Sequence, residues 1–99
     1  MKYPVSDPVT LLKTRVNYWG LKLRVSPKIL RVQSMKTKWG SCSTLGVLTL
    51  SKSLIEQDEF FQDVVIVHEL LHLRLPSHNK LFKAWMTVYV PGWREICFG

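Results

Sequence analysis

An α+β fold is expected of this chain, and three observations predict it. A helical stripe comes first, three short runs with strand character follow between residues 21 and 51, and two apolar helical patterns come last. Ninety-nine residues suffice for one modest core and not for two, so a single domain over residues 1–99 is expected. No internal repeat, low-complexity tract or linker interrupts it.

Asp7-Pro8 is a helix start, an N-cap followed by proline at the first helical position, where no amide proton is needed. Val9, Leu12, Val16 and Trp19 then recur at helical spacing, and Gly20 reads as the stop. Leu21-Lys22-Leu23-Arg24-Val25 alternates apolar and basic side chains, the pattern of a half-buried strand. Ser26-Pro27-Lys28 turns the chain into a second strand, Ile29 to Lys36, and a third runs from Val47 to Ser51. Short connections favour a three-stranded, mainly antiparallel sheet. Val47–Ser51 is its expected edge, and Lys22, Arg24, Arg31 and Lys36 are expected mostly on its open side. Between strands two and three, Trp39-Gly40-Ser41-Cys42 reads as a tight turn, either an aromatic plug or a wall of a cleft.

Ser51 or Ser53 caps a short helical turn through Leu54 and Ile55, and Asp58 caps the central helix, Glu59 to about Leu73. Pro76 ends that helix. Ser77 is expected to cap a last helix whose apolar face is Leu81, Phe82, Trp85, Met86 and Tyr89. Pro91-Gly92 stops it, and Trp93 to Phe98 packs back as a tail.

The net charge of +7 is uneven: residues 1–50 carry nine Lys and Arg against Asp7 alone, residues 51–99 five against six acids. A solvated sheet face explains the basic half, and a nucleic-acid partner for it is the alternative. The first eight residues lack the apolar stretch of a secretory signal, and no apolar run reaches the ~20 residues that span a bilayer. No membrane association and a cytoplasmic location are therefore expected. Cys42 and Cys97 are too few for a disulfide framework and read as reduced thiols.

The chemistry lies in the central helix, Val64-Val65-Ile66-Val67-His68-Glu69-Leu70-Leu71-His72, apolar on nearly every side except at His68, Glu69 and His72. Burying two imidazoles and a carboxylate is costly without partners. His68 and His72 stand four apart, on one helix face with a rise of ~6 Å between them, so both rings reach one zinc ion. Glu69 beside them is the candidate general base. His78 follows past the break at Pro76, which lets the chain turn back and supply a third imidazole. Three histidines at ~2.0–2.1 Å leave a fourth position for water, the catalytic arrangement; Cys42 as fourth ligand would make the site structural instead.

His68-Glu69-Leu70-Leu71-His72 with His78 and Phe82, together with Lys38-Trp39-Gly40-Ser41-Cys42 and Pro91-Gly92-Trp93-Arg94-Glu95, resembles the YgjP-like metallopeptidases, small zincins related to the SprT and WLM groups. The resemblance covers roughly Ile29 to Glu95. It implies a minimal zincin core, zinc bound by His68, His72 and His78, Glu69 as catalytic base, and a peptide or protein substrate. Metzincins share the histidine spacing but have glycine where this chain has Leu75. An extended substrate is expected to pair with an exposed sheet edge. Trp39, Tyr89 or an amide of the Trp39–Cys42 turn is the candidate donor to the oxyanion.

Overall fold

The computed structural model describes residues 7–96. The order is α1 (Pro8–Leu23), β1 (Ile29–Gln33), β2 (Gly40–Cys42), β3 (Val47–Ser51), a 3-10 helix (Lys52–Glu56), α2 (Glu59–Leu71), α3 (Lys80–Tyr89) and a second 3-10 helix (Trp93–Glu95). Three helices and a three-stranded sheet make the α+β fold that was expected.

Asp7 caps α1 by accepting from the Thr10 amide at 2.9 Å, and that bond holds its carboxyl below the usual carboxylate range. The helix does not stop at Gly20. It runs through Leu23, so the strand expected at Leu21–Val25 is absent. Leu12, Val16, Trp19 and Leu23 keep one helical stripe in the core, and the apolar–basic alternation after Gly20 fits that stripe as well as it fits a strand. Gly20 serves a close approach. A Cβ there would stand 2.8 Å from the Val25 carbonyl oxygen, because the chain folds back over it. The Val25 amide donates to the Gly20 carbonyl at 3.0 Å, after a left-handed Arg24 at φ 58°.

The sheet is mixed, with strand order β1–β3–β2. β1 runs parallel to β3, from Ile29↔Val47 to Gln33↔Ser51, and β2 pairs antiparallel to β3 through Ser41↔Thr49. Two expectations fall here. The sheet is not mainly antiparallel, and Val47–Ser51 is its centre, not an edge. Leu48, Thr49, Leu50 and Ser51 are all buried, as a strand flanked on both sides requires. The Gly40–Cys42 stretch, expected as a turn, is one of the two edge strands, the other being β1. Lys22 and Arg24 belong to α1 and its cap, so the basic residues do not gather on one sheet face.

The core joins Leu12 and Val16 of α1, Leu48 and Leu50 of β3, Leu54, and Val64–Val67, Leu70 and Leu71 of α2. α2 is the central helix, capped by Asp58, which accepts from the Phe61 amide at 2.7 Å. Asp63 ties it to α1 by accepting from Arg15 Nη1 and Trp19 Nε1, both at 2.8 Å. The Gln62 side-chain amide donates to the Leu54, Ile55 and Gln57 carbonyls, closing the end of the first 3-10 helix. Ser51 caps that helix, as one of the two expected candidates. α3 is capped by Asn79, not Ser77. Its Phe82 and Met86 are buried, Trp85 and Tyr89 half-buried, and Leu81 is exposed. Cys97 and Phe98, expected as a reduced thiol and part of the tail, lie outside the described residues. No helix of the described residues is long and apolar enough to cross a membrane.

Candidate metal centre

The end of α2 and the loop after it carry the histidines. His68 lies in the last helical turn and His72 is the C-cap residue, its amide donating to the Glu69 and Leu70 carbonyls. The chain leaves through a tight turn in which the Leu75 amide donates to the Leu71 carbonyl at 2.7 Å. Pro76 follows, and His78 is thereby brought back over the helix end. One ligand atom from each of His68, His72 and His78 can be chosen so that all lie within 4.8 Å of one another. His72 Nε2 and His78 Nε2 are 2.8 Å apart.

The donor set fits a cation. His72 Nδ1 donates to the Leu75 carbonyl oxygen at 3.2 Å, which leaves the Nε2 lone pair directed at its neighbours. Burial, then the adjacent His68, pushes the His72 imidazole below its ordinary value, toward the neutral form that binds metal. His68 Nδ1 stands 3.0 Å from Glu69 Oε2. Phe82 forms the floor. It stacks on His72 at 4.8 Å and 28°, and meets His68 and His78 edge-on at 5.4 and 4.8 Å. Its own amide donates to the Asn79 cap at 3.0 Å, which fixes the start of α3 beneath the rings.

Facing the histidines is a cleft of about 480 Å³, walled by Thr37, Lys38, Trp39, Gly40, Ser41 and Cys42. Gly40 lets β2 approach α2 closely. A Cβ there would lie 3.1 Å from Glu69 Cγ and 3.2 Å from the Thr49 carbonyl oxygen, so the absent side chain makes room for the Glu69 stem. Ser51 donates its amide to the Trp39 carbonyl and Ser43 donates its amide to the Val47 carbonyl. Alternation along an antiparallel ladder then turns the amides and carbonyls of Gly40 and Cys42 out of the sheet, as an open edge along the cleft. Trp39 is braced edge-on against Phe61, with ring centroids 5.0 Å apart.

Cys42 lines the cleft but does not join the three-histidine cluster found among the described residues. Burial, then the charge of Glu69, pushes its thiol above the usual value in the metal-free chain. Tyr89, a candidate oxyanion donor, lies away from the cleft, against Trp19 and Trp85. A larger hollow of about 710 Å³ opens between α1 and α2 around Leu11, Tyr18 and Ile55, without histidines. Sequence reasoning missed the Leu75 carbonyl and the floor role of Phe82. No pattern announces a backbone acceptor, and Phe82, though part of the motif that carries the resemblance, has the helical spacing of ordinary core.

A family model described as YgjP-like, metallopeptidase domain, matches residues 9–97. Comparison with curated proteins gives no significant match. Among solved structures the chain is similar to the metallopeptidase zymogen jannalysin of Methanocaldococcus jannaschii, at 30% identity and a TM-score of 0.69 over 79% of this chain and 80% of that one. It is also similar to the metallopeptidase zymogen abylysin of Pyrococcus abyssi, at 20% identity and a TM-score of 0.74 over 85% and 86%. At that lower identity the likeness concerns the fold. The family match begins at Val9 and so takes in α1, well ahead of Ile29, where the motifs alone begin the resemblance.

Proposed function

From the premise that the chain belongs to the YgjP-like metallopeptidase family, we propose that it hydrolyses peptide bonds with a zinc ion held by His68, His72 and His78 and with Glu69 as general base. The observation that carries this reading is the cluster of three imidazole ligand atoms within 4.8 Å, beside a carboxylate, in a cleft with an open strand edge. Zinc, when bound, supplies Lewis acidity, polarising a carbonyl and making water a stronger acid.

The chain's own groups do the rest. The Leu75 carbonyl keeps His72 in the tautomer whose Nε2 faces the site. Gly40 and Cys42 offer main-chain donors and acceptors to an extended peptide, which lays its backbone across the end of α2. Glu69 accepts the proton of the attacking water on its carboxylate and returns it to the leaving amine, so the charge of the side chain is restored after each cycle. Glu69 is 7% exposed, and this burial limits competing exchange of that proton with bulk solvent.

Metal analysis and peptide cleavage by wild type and Glu69→Gln test the reading. The expected outcome is about one zinc per chain in both proteins and a fall of roughly 10²–10⁴ in kcat for the variant. Zinc-free wild type after purification without chelator, or equal activity in both proteins, overturns it.

A further inference from the structure

One end of the cleft is basic and unpaired. Thr37, Lys38 and Trp39 line the main cleft and also a smaller hollow of about 200 Å³ that includes Lys36, so the two are continuous along one wall. Lys36 and Lys38 are both exposed, and among the described residues neither forms an ion pair. Among the described residues Glu69 is the one carboxylate lining either hollow; it is buried and its Oε2 is engaged by His68. The lysines therefore face solvent along the path of anything that follows the strand edge past Trp39.

A peptide paired with Gly40–Cys42 advances about 3.3 Å per residue. It passes these two ammonium groups roughly two to four residues from the position opposite Gly40. We propose that this end of the cleft selects an acidic side chain, so that the preferred substrate carries Asp or Glu at such a position on one side of the scissile bond. The proposal rests on the peptidase reading and adds the substrate class. A peptide fits better than a nucleic acid. The patch is small and continues an open main-chain edge, whereas Lys22 and Arg24 lie on α1 and its cap and do not extend it into a face for a duplex.

The test uses fluorogenic peptides with one common scissile bond and Glu, Gln or Lys at each of the second to fourth positions on either side. Glu is expected to exceed Lys by roughly tenfold in kcat/KM at positions on one side alone, with the ratio shrinking as salt rises. Lys36→Glu/Lys38→Glu should reverse the order. Lys13→Glu/Lys83→Glu, which changes net charge equally on α1 and α3, should keep it. Equal rates for Glu and Lys peptides, or the same loss of preference in both double variants, overturn the proposal.

Binding of labelled Glu and Lys peptides to Glu69→Gln protein, read by fluorescence anisotropy, separates this inference from turnover. Preferential binding of the acidic peptide with no cleavage by wild type counts against hydrolysis and leaves the acidic preference standing. Displacement of the acidic peptide by a lower concentration of single-stranded DNA assigns the patch to nucleic acid and overturns the proposal.

Discussion

Phe82 touches all three imidazoles and is 1% exposed, so the geometry of the candidate ligands depends on an apolar ring that binds nothing itself. Phe82→Leu should keep the helix content by circular dichroism while weakening zinc affinity about tenfold, measured by competition with a chromophoric chelator. His72 makes a second point at this scale. Its imidazole is pushed below the ordinary value of 6.5 in the folded chain. The folded state therefore binds fewer protons than the unfolded state between the two values. Stability of the metal-free protein should be full above that window and fall as pH drops through it. Thermal melts of chelated protein at about pH 7.5 and 5.5 check this against the ordinary histidine range, with a smaller difference expected in His72→Gln.

At the scale of elements, the site is a junction between the end of α2 and the edge strand β2. The crossing is tight because position 40 has no side chain. Gly40→Ala removes backbone freedom from the unfolded chain, which is mildly stabilising, yet its Cβ presses on Glu69 Cγ and on the Thr49 carbonyl. The expected result is a melting temperature within a few degrees of wild type and a kcat lowered by about tenfold or more, because the proposed base, displaced by tenths of an ångström, would lose its approach to water. Steady-state kinetics beside a melt distinguishes this from unfolding. α3 contributes through its first turn, where the Asn79 cap holds Phe82 under the rings.

For the molecule as a whole, the core and the candidate centre meet at Phe82, yet most of the core lies away from the histidines. Val64, Ile66 and Val67 are 0% exposed and belong to one core cluster with residues of α1 and β3, while His78 is exposed at the rim. Chelation should therefore leave the far-ultraviolet spectrum intact. It should lower stability, and with it the melting temperature, only by the linkage term, about 2.7 kcal/mol where free metal had stood at 100 times Kd. Complete unfolding on chelation would mean that the metal is part of the fold. The Asp63 bonds to Arg15 and Trp19 hold α1 on α2 at the opposite end from the histidines, which is why metal-free protein is expected to stay folded.

Local patterns were largely legible in the sequence: the caps at Asp7 and Asp58, the pair Ser51 or Ser53 of which Ser51 is the cap, the apolar central helix, and the spacing His68–His72–His78 with Glu69 between, although Asn79 and not Ser77 caps α3. Caps and helical spacing are written within a few consecutive residues, so no knowledge of distant partners is needed to read them. Strand order was not legible. Nothing in Val47–Ser51 says which strands lie on either side of it, and three residues containing a glycine do not advertise Gly40–Cys42 as an edge. Leu21–Val25 satisfied two periods at once, and packing of Leu23 in the core decided for the helix. The sequence by itself determined which groups are the candidates for the chemistry. The tertiary structure decided what they face: the open edge, the Phe82 floor and the basic end of the cleft arise from contacts between residues far apart in the chain, which no local pattern encodes.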